Sequence, residues 1–449
     1  MKKGSKAAGR ERKWHDSAHA SLCMLGGYLR RIGFFRPLEE GVHLKQKVLT
    51  YTPVQKLEML FVALLAGAKA VSHTGLTLRV DRALQVAFGL PGCAEQSVIA
   101  DTLDAASEQD VADLRHAVEA LFVQHSQARR HDFTQEVLVL DLDLSPLPAS
   151  KSCEGSTKGY MGRCRSKTGR KLVRVRAAQY GETVWDDVRE GRSVETLAVL
   201  QAAVAASERL LGLDGEDEAA LAKRAQTEWR LDSGWGSDAM IGWLLERGYQ
   251  VTGKFRSTAR VRKLVGAIAA WEPTANVGRD VAVVPEPISF PHPVKQYAVR
   301  TPSADKKKDG YQYAVLFSSR ADLDMPATVA HYDDRAGIEA DLKSDKRGLG
   351  LASLRKHKLP AQKMVILLME LAHNVLIWSR RWLAQRAPRL AGFGIVRLIQ
   401  EVWAVPGRVK LNGAEVIRVR FQPDHPRAPD VSRGLGSLLT PGQTLGFLG

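Results

Sequence analysis

The pattern of apolar and polar positions changes character three times along the chain. From Thr52 onward the apolar residues recur at helical spacing. Thr52-Pro53 places a capping hydroxyl before a proline at the first helical position, and Leu57–Leu65 (LEMLFVALL) predicts a buried helix behind it. Glu95–Leu103 (EQSVIADTL) predicts another helix with Val98, Ile99 and Leu103 facing inward. It reads either as the second half of a helix-turn-helix or as part of an ordinary helical hairpin. Asp110–Val123 continues the helical pattern, so residues 1 to about 130 read as all-helical, with weak patterning before residue 50.

After residue 130 the period shortens to that of strands. Val137, Leu138, Val139 and Leu140 form an unbroken apolar run, the signature of a strand buried on both faces. Asp141 and Asp143 follow and project to the same side. A carboxylate at the exit of a buried strand is costly unless it is paired, hydrogen-bonded or bound to a metal. Leu172–Ala178 alternates as a second strand and Thr183–Arg189 reads as a third. Ser193 is the expected cap of an Ala-rich helix ending at Leu211. Thr227–Leu231 reads as a fourth strand that delivers Asp232 into the Gly-rich turn DSGWGS. Ser237 then caps a helix to Glu246, and Tyr249–Phe255 is a fifth strand. Gly248, Gly253 and Lys254 have the spacing of a phosphate loop, but Phe255 replaces its hydroxyl residue and the segment runs from helix to strand. Both departures argue against nucleotide binding.

The succession of three strands, helix, strand, helix, strand is that of an RNase H-like α/β core. Val281–Val284, Lys295–Arg300 and Tyr311–Phe317 then alternate in a Pro-rich context and predict an inserted β-rich subdomain. His331–Lys346 (HYDDRAGIEADLKSDK) predicts one continuous helix. On it Tyr332, Arg335, Glu339, Lys343 and Lys346 share an arc of roughly 80°. Residues 361–384 predict a long amphipathic helix with Trp378 and Trp382. A hairpin is expected around Asn412-Gly413, and from Gln422 onward order is doubtful. The expected divisions are thus a helical N-terminal region (1–130), a first core segment (131–256), the insertion (257–325), a second core segment (326–390) and a C-terminal region with the hairpin (391–449).

Charge narrows the class. Lys and Arg number 65 against 49 acids, a formal net charge of +16. The excess is clustered in Lys158–Arg176, Lys306–Lys308 and Lys343–Lys358. Such a balance points to a polyanion, most simply nucleic acid. Cys23, Cys93, Cys153 and Cys164 have no metal-ligand spacing and read as reduced thiols of a cytosolic protein. The start lacks the apolar segment of a signal peptide, and no apolar run reaches bilayer length, so no membrane partner is expected. Three carboxylates stand out: Asp143, Asp232 and Glu339. Three hard oxygen donors around one point suit two Mg²⁺ or Mn²⁺ ions acting on a phosphodiester.

Tyr332, Arg335, Glu339 and Lys346 match the spacing Tyr-x2-Arg-x3-Glu-x6-Lys. In this the chain resembles DDE transposases of the bacterial insertion-sequence group, a likeness strengthened by RLDSGWGS around Asp232 and by GYQVTGKFR after it, and covering most of residues 50–425. The resemblance implies that Asp143, Asp232 and Glu339 are the catalytic, metal-binding triad. It implies that Tyr332, Arg335, Lys346, Lys254 and Arg256 contact DNA. The insertion would hold a flipped base, with Trp271 as a stacking candidate beside an ordinary packing role. The family has Asp-x-Thr at the first acid where this chain has Asp143-Leu144-Ser145. Asp141 stands two residues earlier as an alternative ligand. The implied activity is cut-and-paste transposition on terminal inverted repeats, by a homodimer on double-stranded DNA, in the cytoplasm at the bacterial nucleoid. The alternatives are a catalytically inactive DNA-binding descendant and a stand-alone nuclease of the same fold.

Overall fold

The computed structural model describes residues 13–449 except 49, 160, 162–166, 193–194, 257, 275–277, 304–309 and 414. The chain divides into two compact units. One comprises Met1–His125, Ser152–Glu154 and Lys343–Gly449; the other comprises Ser126–Lys151 and Gly155–Leu342.

The second unit is a mixed α/β body built on a ten-stranded sheet. Its centre is β1 (Leu138–Pro148), the apolar run expected to be a buried strand. β2 (Thr168–Ala177) and then β3 (Glu182–Glu190) join it antiparallel on one side. β4 (Thr227–Leu231) and then β5 (Gln250–Lys254) join it parallel on the other. The parallel connections run through α1 (Leu197–Leu211) and α2 (Asp238–Glu246), as parallel pairing requires. Leu138, Leu140, Leu142, Trp229 and Leu231 are fully buried and form the apolar face of the sheet. α1 is capped by Thr196, whose hydroxyl accepts from Val199 N; the expected cap Ser193 lies outside the described residues. Ser237 stands at the N-cap of α2 as expected but makes no side-chain bond there.

The insertion contributes β6 (Asp280–Val283), β7 (Lys295–Pro302) and β8 (Tyr311–Ser318). β8 pairs antiparallel with β5, so these strands extend the central sheet by backbone hydrogen bonds. Val281, Tyr297, Val299 and Leu316 form a small core with Met325 and Val329 of the next helix, and Tyr332 packs against it.

The expected single helix over His331–Lys346 is two helices, α3 (Met325–Asp333) and α4 (Ala336–Gly348). The backbone tightens between them: Arg335 N donates to Tyr332 O, and Gly337 N donates to Asp334 O. Acids at 333 and 334 suit this break, because negative charge is unfavourable at a helix C-terminus and favourable just before the N-terminus of the next.

In the first unit, Pro53–Leu65 is helical and buried, and Thr52 and Gln55 form the reciprocal capping box. Gln96–Asp104 is helical, but Val98 is exposed and Thr102 takes its place inside with Ile99 and Leu103. Residues 1–130 are not all-helical. Trp14–Ser17 is a strand that pairs with β9 (Gly407–Asn412), the first strand of the C-terminal hairpin with β10 (Glu415–Phe421). Asn412 still pairs with Glu415, so the two-residue turn starts at Gly413, where φ is 61°. The tail after Gln422 is ordered where it was doubted: Ala428–Leu435 is a helix, and β11 (Thr444–Phe447) runs parallel to β10. Leu359–Ala384 is a helix buried nearly all round rather than amphipathic. No helix among the described residues is long and apolar enough to cross a membrane. Cys23, Cys93 and Cys153 are free thiols; Cys164 and Lys306–Lys308 lie outside the described residues.

Candidate active site

The register of the parallel pair places two acids side by side. Leu142 of β1 opposes Leu231, the last residue of β4, so Asp143, midway along β1, stands beside Asp232, the first residue past the end of β4. β1 does not end at its acids as expected but continues to Pro148 against β2. β1 is also where the sheet changes from antiparallel to parallel pairing. Clefts at the carboxyl ends of strands beside such a switch are the usual ligand sites of open α/β sheets.

The face of the sheet that bears these acids is polar and is tied to α3 and α4 by buried ions. Asp141 is fully buried. Its Oδ1 accepts from Arg230 Nε at 2.7 Å and its Oδ2 from Arg230 Nη2 at 3.0 Å and Arg176 Nη1 at 3.3 Å. Both arginines stand directly opposite it in the neighbouring strands. Arg230 Nη1 also donates to His331 O of α3, while Arg176 pairs with Asp341 of α4. Glu228, two residues before Arg230, pairs with His331 at 2.8 Å and with Arg320 at 2.9 Å. Burial would raise the Glu228 carboxyl, but these partners hold it below the ordinary value. The two helices are thereby fixed over the strand ends.

The junction between them carries Arg335, which is 5% exposed. Its guanidinium meets all three acids. Nη2 lies 3.0 Å from Asp143 Oδ1 and 4.0 Å from Asp232 Oδ2, and Nη1 lies 3.4 Å from Glu339 Oε1. Asp143 Oδ1 also accepts from the Leu144 backbone N–H at 2.8 Å. The site is graded from inside to outside: side-chain exposure is 14% for Asp143, 46% for Asp232 and 51% for Glu339. Burial pushes the Asp143 carboxyl up to about 6, against the opposing pull of Arg335, with Asp232 and Glu339 adding to the rise. A cavity of about 170 Å³ opens beside Asp143 and Asp232, lined also by Lys171, Glu195, Gly234 and Trp235.

The donor set suits a hard divalent cation, and a positive group already stands among the three acids: Arg335. As arranged, no group of three His, Cys, Asp or Glu among the described residues is close enough to hold an ion. The residues therefore fit such a metal in chemistry, while Arg335 is drawn to the same carboxylate oxygens that a metal would use.

No family model matches the chain, and no curated protein matches it. Among solved structures the chain is similar to one described as the cryo-EM structure of piggyBac transposase synaptic complex with hairpin DNA. The TM-score is 0.46 and the identity 14%, over 88% of this chain and 83% of that one.

Of the other expected residues, Tyr332 lies in the last turn of α3, and burial raises its hydroxyl above the ordinary value. Arg335 does not offer a phosphate contact in this conformation, because its guanidinium is buried against acids. Lys254 is half-buried at the end of β5 and Arg256 is exposed just beyond it. Lys346 lies in the last turn of α4. It falls in the part of that helix belonging to the first unit. Trp271 is half-buried in neither core nor open solvent: Arg300 stacks 4.6 Å from both its ring and that of Tyr311. Lys171 and Glu195, paired at 3.3 Å on the cavity wall, were missed. Lys171 lay within a basic run with no mark to single it out, and Glu195 sits in a loop where spacing carries no signal.

Proposed function

We propose that the chain is a DNA transposase of the DDE type with an RNase H-like catalytic core, of the bacterial insertion-sequence group with the Tyr-Arg-Glu-Lys signature. The observation that carries this reading is the position of Asp143, Asp232 and Glu339. Residues nearly two hundred positions apart all lie within 4.0 Å of a single buried guanidinium. The strand order β3-β2-β1-β4-β5, with the last two parallel to the first, supports the core assignment.

Asp143 is the first acid of the triad; Asp141 is committed to Arg230 and Arg176 and holds β1 to its neighbours and to the helices. Two Mg²⁺ or Mn²⁺ ions bound by Asp143, Asp232 and Glu339 would supply activation of a water or 3′-hydroxyl and stabilisation of the leaving oxygen. Arg335 neutralises the acids in this arrangement and so limits their mutual repulsion. Tyr332, Lys254, Arg256 and Lys346 approach the DNA backbone, and Arg335 does so once its guanidinium leaves Asp143. The stack of Trp271, Arg300, Tyr311 and Tyr313 offers aromatic faces to an extruded base. The enzyme works as a homodimer on paired transposon ends, on the nucleoid of a bacterial cytoplasm.

A labelled linear transposon end incubated with a supercoiled target and Mg²⁺ tests this. Joining of label to target is the expected result. Cutting without joining would make the chain a nuclease of the same fold, and neither would make it an inactive DNA-binding descendant.

A further inference from the structure

The sheet formed by Trp14–Ser17, β9, β10 and β11 in the first unit has one face turned inward, with Val409, Leu411, Val416, Val419 and Phe421 buried. Its other face is defined by two rows of residues in register. One row is Trp14, Lys410, Arg418 and Thr444; the next is Asp16, Arg408, Arg420 and Gly446. These eight positions hold four cations and one carboxylate. Arg408, Arg418 and Arg420 are exposed, and Lys410 is partly so.

Within these rows like charges stand directly opposite each other twice, Arg408 against Arg420 and Lys410 against Arg418. Such pairs destabilise a sheet, and nothing in the fold requires them. What compensates is modest. Asp16, itself 87% exposed, lies 3.2 Å from Arg408, and an exposed ion pair contributes little. Arg418 Nε donates to Thr444 Oγ1 at 2.6 Å. The Trp14 ring sits under three of the cations, with centroid distances of 6.0 Å to Arg408, 5.8 Å to Lys410 and 5.3 Å to Arg420. One ring cannot offset three charges at exposed sites. The block is a preassembled cationic square, about 5 Å across strands and about 6.7 Å along them, held over an aromatic base. It lacks an internal counter-charge of matching size.

We infer that this face of the sheet is a docking surface for the sugar-phosphate backbone of nucleic acid, separate from the carboxylate site. The chain's net charge of +16 gives the partner its sign. Arginine forks suit phosphate oxygens, and a planar cationic face fits a duplex backbone without reading its sequence. The inference shares with the proposed function only the nature of the partner.

The test uses the full-length chain in EDTA, so that no cleavage occurs, with a short mixed-sequence duplex read by fluorescence anisotropy over a range of salt. In the variant Arg408→Gln, Lys410→Gln, Arg418→Gln, Arg420→Gln, binding at low salt should fall about ten- to a hundred-fold. The log–log salt slope should become shallower by at least about two units. The melting temperature should hold or rise, because like-charge pairs have been removed. A pair variant, Arg418→Gln with Arg420→Gln, should give about half the change in slope, and replacing the three arginines by lysine should leave the slope intact. An unchanged slope in the four-fold variant overturns the inference, as does tighter binding of the wild-type chain to phosphatidylserine vesicles than to the duplex at equal anion concentration. Loss of joining in variants of Asp143, Asp232 or Glu339 bears on the catalytic proposal alone, so the two can fail independently.

Discussion

Asp141 and Asp143 sit two residues apart on one face of one strand, and the fold treats them in opposite ways. Asp141 is closed in: its two arginines come from the strands on either side, in register, and fill both its oxygens. Asp143 is left half-answered. Its arginine comes from the break between two helices and is shared with Asp232 and Glu339, both about half exposed. A carboxylate whose cations are locked into a sheet is structural. A carboxylate whose cation is shared, and sits on a break in a helix, can exchange that cation for another. Glu58 in the first unit is the limiting third case: buried, under the like charge of Glu39, and with Oε1 lacking a hydrogen-bond partner among the described residues.

The largest expected effect separates the two aspartates by activity. Asp143→Ala, Asp232→Ala or Glu339→Ala should each lower DNA cleavage by about a thousand-fold or more, with duplex binding retained. Full cleavage by all three variants would make Asp143 no more catalytic than its neighbour.

Stability should separate them in the reverse sense. Asp141→Ala leaves Arg230 buried and uncompensated, and should cost roughly 3–5 kcal/mol by urea denaturation. Asp143→Ala leaves Arg335 paired with Asp232 and Glu339 and removes a carboxyl whose burial already opposes its charge, so it should cost clearly less, about 1–2 kcal/mol. Equal losses would erase the contrast.

The third acid gives a smaller effect that depends on pH. Burial first, and Glu39 second, raise the Glu58 carboxyl from 4.5 to about 8. Its folded value lies above its unfolded one, so its contribution is fully present below about 4.5 and is lost as the pH rises through about 8. Glu58→Gln should therefore stabilise the protein at pH 8 by about 1–2 kcal/mol and do little at pH 4. Thermal melts at the two pH values measure this, and a gain of equal size at both would place the cause elsewhere than in ionisation.

Much of this contrast could be read from residue order, and some could not. The strands β1 to β5 follow from apolar or alternating runs, and Asp232 does follow the end of β4; β1, expected to stop near its acids, runs on to Pro148 because β2 goes on pairing with it past Asp143. The spacing of Tyr332, Arg335 and Glu339 singled out the third carboxylate that Arg335 meets. The break at residues 334–335 was hidden, because the apolar period of Ile338 and Leu342 continues without a proline or glycine to interrupt it at that point. The sequence favours Asp143 over Asp141 through the hydroxyl of Ser145 two residues on, but it does not show what Asp141 does instead. The arginines that occupy Asp141, Arg176 and Arg230, reach it only through the register of β2 and β4. Trp14–Ser17 escaped notice for the same reason, since WHDS has no alternation of its own and is a strand only because β9 offers it an edge.

The central claim is that Asp143, Asp232 and Glu339 form a cation site whose protein-borne occupant, Arg335, gives way to a divalent metal. Titration of the full-length chain with Mn²⁺, followed by electron paramagnetic resonance, tests it most directly. The account predicts saturable binding that is lost in Asp143→Asn, Asp232→Asn and Glu339→Gln and tightened in Arg335→Ala. Binding that is unchanged in all four variants would contradict it.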